Sequence, residues 1–219
     1  MSASTFPSRR VLFLRLLLVG AALVAWFWTQ SLIGARTGRP GIIGDGLLEA
    51  TAPLNTFLHE HPGWARGLLI SSSLVIDLLG GFLLASALLG PTTRPFVGLL
   101  LVFALRQLCQ ALCALPPPEG MIWQYPGFPS LLVTYGVSND LFFSGHTAIA
   151  VFGSTELARL PFRGARLLGV AVALFEATTV IVLRAHYTMD VFTGAVTALL
   201  VAGIVERLAP ALDRLLAAK

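Results

Sequence analysis

The sequence predicts an all-α, polytopic membrane protein: six transmembrane helices in one bundle, with the N- and C-termini both cytoplasmic. Three observations predict it. Hydrophobic residues fill 56% of the 219 positions and charged residues only 12%, where an average soluble domain carries roughly 25% charged. A mean hydropathy of +0.80 calls for lipid as the solvent, because 15 basic and 11 acidic side chains cannot cover a water-facing globule of this size. At about 20 residues per crossing, six helices use about 120 residues and leave about 99 for loops and tails, which suits a single domain over residues 1–219. A net charge of +4 does not indicate nucleic acid, since the arginines lie between apolar runs and read as membrane flanks.

The first apolar run, about Val11 to Ile33, follows Arg9 and Arg10. It is too long for a signal peptide and lacks a small-residue cleavage site before the polar segment at Gly34. Gly41 to Trp64 mixes Leu47, Leu48, Leu54, Phe57 and Leu58 with Asp45, Glu49, His59, Glu60 and His61, and reads as an amphipathic stretch on the membrane surface. Its histidines match no metal-ligand spacing, and neither metal nor cofactor is expected. The second helix is predicted from about Gly67 to Leu89 and the third from about Phe96 to Leu115, where Pro116, Pro117 and Pro118 stop it. The fourth runs from near Gly145 to about Leu160, the fifth from about Ala165 to Leu183, and the sixth from about Val191 to Leu208. Cys109 and Cys113 share one helix face as packing residues, with no disulfide framework. Trp26, Trp28, Trp64 and Trp123 stand near helix ends or in loops, as interface anchors do.

Orientation follows from the arginines. With a cytoplasmic N-terminus, that side holds Arg9, Arg10, Arg15, Arg94, Arg159, Arg163, Arg166, Arg207, Arg214 and Lys219, and the other side only Arg36, Arg39, Arg66 and Arg184. The loop from Pro116 to Asp140 carries no basic residue and is predicted to be extracytoplasmic.

That topology brings two motifs to one membrane face. Ser144-Gly145-His146 opens the fourth helix, and His186-Tyr187-Thr188-Met189-Asp190 joins the fifth to the sixth. Gly145 permits close backbone approach, and free N–H groups at the start of that helix suit a phosphate. His186 and Asp190 stand four apart, one helical turn, so the carboxylate can accept from Nδ1 and leave Nε2 free to attack. Two histidines and an orienting acid meet the needs of a phosphohistidine mechanism, without metal.

The segment Asp140-Leu-Phe-Phe-Ser-Gly-His-Thr147, followed by His186-Tyr-Thr-Met-Asp-Val191, resembles the two active-site motifs of the sphingomyelin synthase branch of the type 2 lipid phosphate phosphatase superfamily. Arg106 to Pro118, ending Leu115-Pro116-Pro117-Pro118, is similar to a further Arg…Leu-Pro-x-Pro motif of that branch. Plant phosphatidylcholine:diacylglycerol cholinephosphotransferases share these segments, including a run close to Arg184-Ala-His-Tyr-Thr-Met-Asp190. The resemblance spans about residues 94–206.

The resemblance implies that His186 is the nucleophile on phosphorus, Asp190 its orienting partner, and His146 the acid that protonates the departing alcohol and then deprotonates the incoming one. It also implies that Asp140 faces the reaction chamber near a cationic headgroup or acceptor hydroxyl, with Glu119 placed to do likewise. Ser144, Gly145, Tyr187 and Arg106 belong to the matching motifs and complete the expected substrate-binding set. The superfamily's Lys-x6-Arg-Pro element is represented only by Thr93-Arg94-Pro95, and Val180 stands where a second clamping arginine would be. Arg184, beside His186, supplies a cation in its place. Few clamping cations suit a phosphodiester with one negative charge. Ser138-Asn139 stands where the synthases have Cys-Gly.

Asp77, Arg106, Glu156 and Glu176 fall within helices, where a charge is costly unless paired or hydrated. Glu156 and Glu176 lie about ten residues, or about 15 Å, deeper than the histidines. Structural pairing with Arg106 or Arg159, or polar lining near the cytoplasmic leaflet, is expected.

The expected activity is transfer of a phosphoalcohol, phosphocholine or phosphoethanolamine, from a glycerophospholipid to the hydroxyl of diacylglycerol or ceramide. Hydrolysis by the same histidines, as a lipid phosphatase or phospholipase C, is the alternative, and a non-catalytic lipid-binding bundle is disfavoured by the intact histidines. Arginine over lysine with abundant Ala, Leu and Gly points to a bacterial inner membrane with the site facing the periplasm. In a eukaryote the same topology faces an organelle lumen.

Overall fold

The computed structural model describes residues 7–35, 43–136 and 141–217. Among them every regular element is helical: α1 (Arg9–Gly34), α2 (Gly46–Ala50), α3 (Ala52–Glu60), α4 (Pro62–Leu89), α5 (Arg94–Leu112), α6 (Gly145–Leu157), α7 (Ala165–Val182) and α8 (Thr188–Ala217). Five of them, α1, α4, α5, α7 and α8, are long and apolar enough to cross a membrane. The bundle is built outward from α6, which packs against α4, α5, α7 and α8. Phe143, Phe152, Leu83, Val102 and Val201 are buried along its seams, while Leu78, Leu112, Leu167, Leu174 and Leu199 stay exposed. Apolar side chains on the outside are the signature of a bundle solvated by lipid.

Helix boundaries differ from expectation for local reasons. α4 starts at Pro62, five residues early, because proline suits a first helical turn, whose N–H groups have no partner anyway. α5 ends at Leu112 rather than Leu115, with Cys113 already extended (φ −133°, ψ 105°). Three consecutive prolines lack N–H groups, and Leu115 before Pro116 is pushed out of helical geometry. α8 runs past Leu208 and through Pro210 to Ala217. Its far end is anchored by Asp213, whose carboxylate accepts from Thr92 Oγ1 (2.6 Å), Thr93 N (2.8 Å) and Thr93 Oγ1 (2.7 Å).

α6 has 13 residues, about 20 Å at 1.5 Å per residue, well short of a bilayer core of about 30 Å. A Cβ on Gly145, its first residue, would lie 3.0 Å from Arg106 Nε. Arg106 in turn precedes the end of α5 by six residues, about 9 Å. α6 therefore begins inside the bundle rather than at its rim.

The chain reaches that depth through a segment that folds back between helices. Leu132 and Val133 are core residues, and a side chain on Gly80 of α4 would collide with Leu132. Non-helical backbone inside a bundle must find partners there. Asp77 supplies them: its carboxylate accepts from Leu131 N (2.8 Å) and Leu132 N (2.9 Å). A charge the sequence left unexplained is thus an acceptor for two backbone amides. Asp77→Ala would remove both acceptors; the part-buried Leu132 amide carries most of the cost, about 1–3 kcal/mol, and the exposed Leu131 amide less. We expect its midpoint in a detergent thermal-unfolding assay to fall well below that of a surface control such as Glu60→Ala.

The other internal acids pair at two levels. Glu156 accepts from Arg94 (Nη2 2.7 Å, Nε 3.0 Å) and also meets Arg159 at 3.6 Å. The Arg159 pairing is as expected; Arg94 is the closer partner. Glu176 pairs with no arginine: its Oε2 accepts from Ser72 Oγ at 2.6 Å. Arg106 is engaged at the other end of the bundle. Trp26 is also a correction, since it is buried in the core rather than anchored at an interface, while Trp28 and Trp64 are exposed.

Candidate active site

The turn that carries His186 begins where α7 stops. Leu183 caps the helix, Arg184 follows at φ +53°, and two bonds close the turn: Arg184 N to Ile181 O (2.9 Å) and Ala185 N to Val180 O (2.9 Å). This is a Schellman closure, which normally places glycine in the left-handed position. An arginine there carries a steric cost of about 1–2 kcal/mol. Its side chain offsets that cost by tying the turn down, with Nη1 donating to Glu119 O (2.6 Å) and Nη2 to Leu48 O (3.3 Å).

His186 comes next, ahead of α8 rather than within it, so its relation to Asp190 is not the expected helical turn. Asp190 sits in the first turn of α8 and reaches back, accepting from Tyr187 N at 2.9 Å as the third residue of a capping box does. The same Oδ2 lies 3.6 Å from His186 Nδ1. That separation is longer than a hydrogen bond and within ion-pair reach. Nδ1 therefore faces the carboxylate and Nε2 faces away from it. Both side chains are buried, and His186 Nδ1 and Asp190 Oδ1 make no hydrogen bond.

α6 delivers His146. Ser144 is its N-cap, with Oγ accepting from Thr147 N (3.3 Å) and Thr147 Oγ1 (3.1 Å), and its backbone N–H donates to Asp190 O at 3.0 Å. The starts of α6 and α8 are thus bonded together, which fixes one histidine relative to the other. Gly194 permits the contact, since a Cβ there would lie 2.7 Å from Ser144 O. Arg106 donates Nε–H to Phe143 O (2.9 Å) and Nη1–H to Gln30 Oε1 (3.3 Å), holding its guanidinium against the helix start.

Arg106, His146 and His186 line one small cavity with Met121, Trp123, Thr134, Leu141 and Ala185, of about 30 Å³. It has room for about one water. His146 Nε2 is buried without a hydrogen-bond partner. A helix N-terminus, a guanidinium and two imidazoles around one space provide for an oxyanion, a nucleophile and a proton carrier.

The remaining expected residues fall elsewhere. Glu119, Arg184 and Tyr187 line a second cavity of about 440 Å³ with Asp45, Leu48, Glu49, Pro117 and Pro118. Tyr187 donates its hydroxyl to Pro116 O at 3.1 Å. Asp140 lies outside the described residues. His59 and His61 donate to the carbonyls of Gly120 (3.1 Å) and Phe57 (2.9 Å). Among the described residues no three His, Cys, Asp or Glu side chains gather as metal ligands.

Two residues were missed as parts of the site. Asp45 caps α2 and, from 143 residues away in sequence, also caps α8: Oδ2 accepts from Thr188 N and Oδ1 from Thr188 Oγ1, both at 2.6 Å. Burial alone would raise its pKa, but the bonds from Thr188, Leu48 and Leu47 outweigh burial and hold it below the ordinary carboxylate value. An Asp before Gly46-Leu47-Leu48 is a legible N-cap; its second partner is not. Trp123, expected as an interface anchor, instead meets His146 edge-on at 5.1 Å.

A family model described as AtPDCT1/2 matches residues 45–207, well over half of the chain. No curated protein matches. The matched region opens at Asp45, the residue that caps α8, and contains His146, His186, Asp190 and Arg106. The chain belongs to the AtPDCT1/2 family, the phosphatidylcholine:diacylglycerol cholinephosphotransferases.

Proposed function

We propose that the protein is an integral-membrane phosphotransferase that moves phosphocholine from phosphatidylcholine to diacylglycerol through a phosphohistidine on His186. Family membership supports the reaction, and the single observation that supports the mechanism is the cavity shared by His146, His186 and Arg106, with Asp190 behind His186. His186 Nε2 attacks phosphorus, and the bond from phosphorus to the diacylglycerol oxygen breaks. His146 gives that oxygen its proton. A second diacylglycerol then enters, loses its hydroxyl proton to His146 and attacks phosphorus, and the P–N bond breaks. Arg106 and the N-terminus of α6 hold the phosphate oxygens, while Asp190 favours the tautomer with Nε2 unprotonated and stabilises the charged ring. Arg184, Tyr187 and Glu119 belong to the outer part of this substrate path.

In this reading α6 is a sixth crossing, both chain ends are cytoplasmic, and the histidines open toward the periplasm or lumen. The arginines support it. Arg15, Arg94 and Arg159 cluster at the end of the bundle opposite the histidines, where Arg15 donates to the carbonyls of Ala87 and Gly90, both at 2.9 Å. A sphingomyelin synthase-like use of ceramide is the second acceptor to test.

The deciding experiment supplies purified protein with headgroup-labelled phosphatidylcholine and with diacylglycerol, ceramide or neither. Labelled phosphatidylcholine formed from a diacylglycerol of distinct chain length is the expected product. Free phosphocholine released at the same rate without any acceptor would replace transfer by hydrolysis.

A further inference from the structure

Trp123, Tyr135 and Tyr125 form a row of rings leading away from the histidine cavity. Trp123 meets His146 at 5.1 Å (86° between planes), Tyr135 meets Trp123 at 5.1 Å (34°), and Tyr125 meets Tyr135 at 6.1 Å (72°). Exposure rises along the row, from His146 at 8% through the half-buried Trp123 and Tyr135 to Tyr125 at 61%. Two of the rings are pinned: Trp123 Nε1 donates to Thr134 O (3.1 Å), and Tyr135 shares a 2.5 Å bond with Ser73 Oγ. A cation beside such a row can lie within about 6 Å of a ring centroid, the range of a cation–π contact.

Nothing in a quaternary ammonium donates a strong hydrogen bond, so it is recognised by charge or by aromatic faces, whereas a primary ammonium seeks acceptors. Trp123 lines the histidine cavity together with His146 and His186. With phosphorus between His146 and His186, the two-carbon bridge of a phosphocholine is long enough to bring its cationic end to Trp123, whose ring meets His146 at 5.1 Å.

We infer that Trp123, Tyr135 and Tyr125 are the headgroup-selecting wall of the site, binding the trimethylammonium of the phosphocholine donor by cation–π contact and favouring it over a primary ammonium. The inference rests on the phosphotransfer reading above and adds the residues that choose the headgroup. The competing location is the 440 Å³ cavity, where Glu49 and Glu119 offer carboxylates that do not distinguish the two ammonium groups in this way.

The test measures kcat/KM for transfer to diacylglycerol from phosphatidylcholine and from phosphatidylethanolamine, and reports their ratio, from which the fraction of folded enzyme cancels. In Trp123→Leu and Tyr135→Leu the choline-to-ethanolamine ratio should fall about tenfold, with Trp123→Phe keeping most of it. Tyr125→Leu, at an exposed position, should lower the ratio by a smaller factor and carries the test if the buried leucine variants do not fold. Ratios within twofold of the parent in the folded leucine variants, or a ratio that instead collapses in Glu49→Gln or Glu119→Gln, would overturn the assignment. Absence of transfer from both donors in the parent protein would remove the phosphotransfer reading itself.

Discussion

His186→Ala is expected to reduce phosphocholine transfer by about 10⁴-fold or more, with little loss of folded protein. The imidazole supplies the only nucleophile proposed for phosphorus, and its Nδ1 makes no hydrogen bond that the fold would miss. Its removal leaves the turn intact, because the Schellman bonds and the Arg184 contacts are made by neighbours. The measurement pairs single-turnover transfer with acid-labile labelling: headgroup-labelled phosphatidylcholine should leave label on the parent protein and none on His186→Ala. His146→Ala should be slower by about 10²–10⁴-fold, the range for a lost acid–base group, and should still accept label slowly. Label retained on His186→Ala would move the nucleophile elsewhere.

Asp190 separates position from chemistry. Asp190→Ala should cost about 10³-fold in kcat and also lower the unfolding midpoint, since the Tyr187 amide loses its buried acceptor at about 1–3 kcal/mol. In Asp190→Asn the amide oxygen still accepts from Tyr187 N, so stability should return toward the parent. Its NH2 group then faces His186 Nδ1 as a donor, which favours the wrong tautomer, and kcat should stay about 10³-fold down. An asparagine variant with parental turnover would mean that the carboxylate serves only as a cap.

Sequence alone brought the candidate site residues together better than it foresaw the architecture that frames them. His146, His186 and Asp190 were legible because charge is rare in this chain and basic residues gather at the opposite end of the bundle, which leaves few ionisable groups beside them. Pattern placed His186 between the last two helices but gave its relation to Asp190 as one helical turn, because a left-handed arginine is not marked in a list of residues. Nor could pattern show that the Leu131–Val133 segment folds into the bundle, since an apolar loop and a buried one have the same composition. Asp77 was the available signal, an acid inside α4 with no cation to match it. The partners of Asp45 and Trp123 come from distant elements, and no local periodicity reports them.

The cap that Asp45 places on α8 ties an early-made part of the chain to a late one. Asp45 and Thr188 are separated by 143 residues, which at about 5–20 residues per second is on the order of ten seconds of synthesis. Throughout that interval the chain carries Asp45, and later His146 as well, but no Thr188 for it to bond. The nucleophile proposed above is therefore set in place in one late step, when α8 begins to form.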